Sequence, residues 1–300
     1  MVKGYLCAIL AVFFWSFNVI VAKYYANTFS PWQISFYRWF FASVILLPFT
    51  YKTIWRMKDE LVRYWKLILS LSMSGIVLMN TFAYFAGRTI GAMKMSLISV
   101  MGPVFIVLLS RLFLHTKLSK GQVLGILISF FGVFSVIING DFANLRNITF
   151  ETGDIWMSML ALFFAIYSVL MSFKPKSISH LVLLSINIFL GTIIIFPVFA
   201  YDVVVNPVCD KWNLISYSVL LGLGIFNSVL AYLFWNMALE KIGNVRASVI
   251  YYLTPVFSFI EAYFILGEKI KIPQIVGGMV VIFGIYLTTK YTRKVEIERP

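Results

Sequence analysis

The segment LTPVFSFIEAYFILGE, residues 253–268, sets an acid, Glu261, and a proline, Pro255, in an otherwise apolar stretch. A charge at the centre of a bilayer-length helix costs about 2.5–3.5 kcal/mol on insertion scales, so it faces a protein interior or a wet cavity. The spacing agrees. Tyr251, Thr254, Ser258 and Glu261 recur at intervals of three, four and three, on one face of a helix. Arg38 is the other charge set well inside an apolar run. Counted along the helices, Arg38 and Glu261 both lie about 8–10 Å inside the same end of their spans. Pairing would lower the cost of each. The alternative is that Arg38 snorkels outward to headgroups.

Further polar and aromatic residues fall at helical spacing. Ser70, Ser74, Thr81 and Tyr84 share a face with Asn80 beside them, and Ser228, Tyr232 and Trp235 do so with Asn227 and Asn236 on the flanks. Trp15, Asn18 and Tyr167 are mid-helix candidates of the same kind. Together they suit a pocket that stacks planar or cationic groups, although aromatic side chains in membrane helices commonly serve packing and lipid contact. This chemistry is recognition, not bond-making. His115 and His180 have no carboxylate at catalytic spacing, and Gly-x-Ser-x-Gly, His-Glu-x-x-His and P-loop motifs do not occur. Cys7 and Cys209 fall at opposite ends of the expected membrane layer, without metal-ligand neighbours. No enzyme activity, metal or cofactor is expected.

The elements that position these residues follow from composition. Sixty-one per cent of the 300 residues are hydrophobic and 12% are charged, with a mean hydropathy of +0.89. A soluble domain of this length needs more charge to cover its surface. The apolar runs are about 20 residues long, enough to cross roughly 30 Å of hydrocarbon. They predict ten membrane helices, at 4–25, 31–50, 65–86, 92–113, 120–139, 153–173, 178–201, 214–237, 245–266 and 272–290. Their continuity excludes a barrel, whose strands alternate. The first run lacks a small-residue cleavage site and reads as an uncleaved helix. With the N-terminus inside, seventeen Lys and Arg fall in inner segments and seven in outer ones. That bias puts both termini in the cytoplasm. The net charge of +13 thus reads as topology, with anionic lipid rather than nucleic acid as its partner.

A shift of 152 residues brings 90–132 into register with 242–284 without a gap. The identities include Gly91/Gly243, Ser96/Ser248, Pro103/Pro255, Lys117/Lys269, Gln122/Gln274, Gly125/Gly277 and Gly132/Gly284. Hydrophobic bias does not match prolines, glycines and glutamines. At an offset of 149, Pro48 matches Pro197 and Arg38 matches Asn187. The chain therefore reads as two five-helix repeats, 1–140 and 153–290, joined by an outer loop at 141–152 and followed by a tail at 291–300. An odd helix count inverts the second copy. Inverted repeats are a transporter architecture with the substrate site near the midplane. Pro103 and Pro255 each remove a backbone hydrogen bond and are expected as kinks or hinges beside the path. The small faces of the fifth and tenth helices suit scaffolding or a homodimer contact.

The block NMALEKIGNVRASVIYYLTPVFSFIEAYFILGEKI, with Trp15-Ser16, Ser30-Pro31, Tyr37-Arg38 and the Gly-rich fifth and tenth helices, resembles the drug/metabolite transporter superfamily, ten-helix EamA-type branch. The likeness spans the whole chain. One departure stands out: the Gly267-Glu268 pair after the ninth helix has His115-Thr116 as its repeat counterpart. The resemblance implies an all-α bundle around a central cavity, in a bacterial cytoplasmic membrane, exporting or exchanging small metabolites such as amino acids or nucleoside-like compounds. A drug or organic-cation efflux carrier, or a lipid-headgroup flippase, would use the same scaffold.

Overall fold

A computed structural model describes residues 2–137, 150–207, 213–266 and 272–291. Among these residues the secondary structure is helical, without strands. In chain order the helices are α1 (Val2–Tyr24), α2 (Pro31–Arg56), α3 (Lys58–Arg63), α4 (Trp65–Thr89), α5 (Ala92–Ser99), α6 (Met101–Leu114) and α7 (Lys120–Ile137). There follow α8 (Thr152–Leu170), α9 (His180–Val205), α10 (Leu214–Ile242), α11 (Asn244–Ile250), α12 (Thr254–Leu266) and α13 (Ile272–Lys290). Six of the described helices, α1, α2, α4, α8, α9 and α10, are long and apolar enough to cross a bilayer alone. Shorter apolar helices run through Met101–Leu114, Lys120–Ser135 and Ile275–Thr288. Six such helices in a chain this apolar mark an integral membrane protein, and a helix satisfies its own backbone hydrogen bonds within hydrocarbon.

Local sequence sets where the helices start and break. Ser30 caps α2 by accepting from the Gln33 backbone at 3.2 Å, while the Gln33 side chain accepts from the Ser30 backbone at 3.3 Å. Pro31, the first helical residue, loses nothing by lacking an N–H there. The spans expected at 92–113 and 245–266 are both interrupted. The first breaks between α5 and α6, at residue 100; the second breaks at a 3-10 turn, Tyr251–Leu253, between α11 and α12. Pro103 and Pro255 lie in the first turns of α6 and α12, where a missing N–H is tolerated, and both are buried. Each proline thus follows a break instead of kinking a continuous helix.

Two long helices carry a second irregularity. Ser72–Leu78 within α4 and Leu223–Leu230 within α10 are π-helical. The N–H of Met79 reaches back five residues to the Ser74 carbonyl, and that of Ala231 to the Phe226 carbonyl. These positions are 152 residues apart, the shift that aligns the two breaks and the two prolines.

The main helix pairs are α1 with the end of α10, α2 with α9, the end of α4 with α8, α6 with α8, and α7 with α13. Glycines set the last of these. A Cβ on Gly125 would come within 2.6 Å of the Gly284 carbonyl, and one on Gly132 within 2.9 Å of the Val281 nitrogen. The small faces of α7 and α13 therefore meet each other inside one chain, and the homodimer role expected for them is not needed to explain them. Val100, Val133, Val249, Tyr252 and Val281 form a separate apolar cluster at this pair.

Candidate functional site

Arg38 lies at the centre of the bundle with no exposed surface. Its Nε donates to Ser228 Oγ at 2.5 Å, and Nη2 donates to the Asn227 carbonyl at 2.9 Å. Nη1 donates to Asn80 Oδ1 at 2.8 Å, Asn18 Oδ1 at 3.1 Å and Tyr84 Oη at 3.1 Å. The partners come from α1, α4 and α10, and all are neutral. The guanidinium carbon also stands 4.8 Å from the Trp39 ring centroid. A planar fork with five N–H donors suits this convergence of acceptors. Snorkelling to headgroups is thereby excluded.

The π segments supply two carbonyls to this network. In α10 the Asn227 carbonyl accepts from Arg38 and, at 3.1 Å, from Trp15 Nε1. In α4 the Gly75 carbonyl accepts from Asn80 Nδ2 at 2.9 Å and from the Tyr232 hydroxyl. Gly75 and Asn227 are 152 residues apart. A π turn frees a carbonyl from the i to i+4 ladder, which is why such turns recur at functional sites.

An aromatic cluster adjoins the polar one. Trp15 meets Tyr232 at 5.3 Å, Trp235 at 5.4 Å, Phe164 at 5.5 Å and Tyr251 at 6.3 Å between ring centroids. Tyr167 meets Tyr232 at 5.5 Å. Asn80 Nδ2 donates to the Tyr232 hydroxyl at 2.7 Å, joining the two clusters. Tyr167 donates to Asn236 Oδ1 at 3.0 Å and Trp235 Nε1 to Ser168 Oγ at 3.1 Å, so each polar tip is satisfied within an apolar surround.

Of the residues singled out in the sequence, the structure gathers Arg38, Asn18, Asn80 and Tyr84 in the polar cluster. It gathers Trp15, Tyr167, Tyr232, Trp235 and Tyr251 in the aromatic one. Asn18 is half-buried and the others are buried. The polar face of α12 does not join them. Thr254 spends its hydroxyl on the Tyr251 carbonyl at 2.7 Å, and Ser258 Oγ has no partner. Glu261 accepts from Ser16 Oγ through Oε1, while Oε2 is buried without a partner. It does not pair with Arg38, whose polar partners are all neutral groups of α1, α4 and α10. Sequence reasoning missed Phe164 and Ser168, and it missed the Gly75 carbonyl. Phe164 and Ser168 share one face of α8 with Ala161, a spacing that could have found them; a backbone carbonyl has no sequence signal.

The EamA-like transporter family matches residues 2–138 and again residues 151–290. An uncharacterized transporter of Archaeoglobus fulgidus is 28% identical over 289 residues, covering 96% of this chain and 97% of its own. The uncharacterized transporter YyaM of Bacillus subtilis is 27% identical over 274 residues, covering 90% of this chain and 87% of its own. A solved crystal structure superposes with a TM-score of 0.75 at 17% identity, covering 99% of both chains, and shows the same fold. The two family matches lie on either side of residue 150, and the buried polar and aromatic centre draws on both: the chain belongs to the EamA-like transporter family of membrane proteins.

Proposed function

We propose that this chain is a secondary transporter that exports or exchanges small metabolites by alternating access of two inverted five-helix repeats, residues 1–140 and 153–290, each with five membrane spans. Both termini lie in the cytoplasm, and the host membrane is a bacterial cytoplasmic one. The observation that carries the reading is the buried meeting of Arg38 with a cluster of tryptophans and tyrosines, at π turns and helix breaks repeated at a shift of 152 residues. Irregular backbone at membrane depth marks substrate sites in transporters because it leaves polar groups free where water and ligand reach them. A guanidinium beside aromatic faces suits a solute with an anionic group and an apolar or planar side, such as an amino acid or a nucleoside-like metabolite.

The test is a thermal-shift screen of purified protein over amino acids, nucleosides and cationic drugs, followed by flux of the hits in proteoliposomes. Stabilisation and flux by amino acids or nucleosides support the proposal. Hits confined to cationic drugs would make the chain an efflux carrier, and binding of lipid headgroups alone would make it a flippase. Topology has its own test. An impermeant thiol reagent applied outside cells should label a cysteine placed at the exposed Phe150 and miss one at Lys58. The reverse labelling would overturn the orientation.

A further inference from the structure

We propose that Glu261 is the proton-coupling site of the transport cycle: it holds a proton while buried against Ser16 and releases it when α12 parts from α1. This rests on the transporter reading above.

Glu261 is 4% exposed. Oε1 accepts from Ser16 Oγ, and Oε2 has no partner. A buried carboxylate needs a counter-charge or several donors, and this one has a single hydroxyl. No basic side chain lies within ion-pair reach of it among the described residues. α12 packs on α1, α5, the Tyr251–Leu253 turn and α13. Along α1 the titratable residue next in sequence to Ser16 is Lys23, seven residues on, and its ammonium is engaged by the Gly87 and Ile90 carbonyls at 3.3 Å. On α5 the described side chains, Ala92, Met95, Ser96, Ile98 and Ser99, are neutral, and Lys94 lies outside them. Tyr251 and Tyr252 lie ten and nine residues back along the chain, roughly 14 Å at 1.5 Å per residue. On α13, Tyr286 and Lys290 belong to the opposite end, where the Lys290 ammonium stands 5.7 Å from the exposed Tyr286 ring.

The described residues contain no group of three or more His, Cys, Asp or Glu side chains that could hold a metal ion. A proton is the cation that needs a single oxygen. Packing does not call for an acid here, because Leu109 occupies the equivalent place 152 residues earlier.

The contact is also wired to the centre. Ser16 follows Trp15, whose indole donates to the same Asn227 carbonyl that receives Arg38. Separation of α12 from α1 therefore disturbs the helix that holds the aromatic cluster. On one side of the membrane the carboxylate and a hydronium give the neutral acid and water. On the other side the reverse step returns the proton to water, so one proton crosses per cycle.

The test uses the full chain in liposomes loaded with a pH indicator and a mixture of the twenty amino acids. An inward proton gradient should drive amino-acid efflux with matching acidification of the lumen. Glu261→Gln should lose the acidification and the pH dependence yet keep one-for-one amino-acid exchange. Loss of exchange in Glu261→Gln, alongside an intact thermal melt, would assign the acid to substrate binding and overturn the proposal. So would wild-type efflux without proton movement. If no amino acid moves at all, the amino-acid form of the transporter reading fails separately, and infrared difference spectra of the purified protein decide this one. A protonated-carboxyl carbonyl band at neutral pH that is missing in Glu261→Gln supports the proton site; no such band between pH 5 and 8 overturns it.

Discussion

At Arg38 a full positive charge is held in the bundle by oxygen atoms of neutral side chains and one backbone carbonyl. Such a site depends on the shape of the guanidinium as much as on its charge. Arg38→Lys keeps the charge but replaces five fixed donors with three, so at least two of the five hydrogen bonds are lost. We expect this variant to lose most transport and to melt lower, by about 3–6 kcal/mol, since hydrogen bonds to charged groups contribute about 1.5–3 kcal/mol each. Tyr232→Phe is the milder probe. It strips the Gly75 carbonyl of one donor and Asn80 of one acceptor, and should cost about 1–3 kcal/mol in thermal melts. Equal stability of Tyr232→Phe and wild type would remove the hydroxyl from the network. The residue types of this site were legible in the sequence because a charge or an amide inside an apolar run is rare and costly. Their partners were less so: two intramembrane charges suggested one another, yet amides and hydroxyls on three helices already satisfy Arg38.

Helices α4 and α10 place these residues through their π turns, and the turns make the element a target of its own. Gly75 has no room for a side chain, because a Cβ there would collide with the Tyr167 ring. Gly75→Ala should therefore displace Tyr167 from Asn236 and cost about 1–3 kcal/mol, as overpacking does. Gly222, one residue ahead of the α10 π turn, meets nothing within 4 Å. Gly222→Ala should leave the melt unchanged or raise it by up to about 1 kcal/mol, through helix propensity. A fall of the same size in both variants would show that the π turns, and not the Tyr167 contact, are sensitive to added bulk. The helix breaks were legible as a matched pair of prolines, though their place in a first turn was not. The π turns were invisible, since Ser72–Leu78 and Leu223–Leu230 share little beyond an apolar character and small residues. Nothing in side-chain periodicity distinguishes a five-residue from a four-residue hydrogen bond over so short a stretch.

Across the whole molecule, each of the main helix pairs joins a helix before residue 138 to one after residue 150. The two family matches are therefore not two independently packed units. We expect fragments 1–140 and 150–300 to be degraded when expressed singly and to assemble when expressed together, read by co-purification and a cooperative melt of the pair. A stable, monodisperse first fragment would contradict this.

The same interleaving imposes an order of events at the ribosome. Arg38 and its acceptor Ser228 are separated by 190 residues, which at about 5–20 residues per second takes roughly 10–40 s to synthesise. Through that interval α2 must wait in or beside the translocon with its guanidinium only partly satisfied, by Asn18 at first and then by Asn80 and Tyr84. Insertion of this chain is thus a delayed docking reaction. A ribosome stalled between residues 90 and 220 should leave α2 cross-linkable to the insertion machinery, and release should coincide with the arrival of α10.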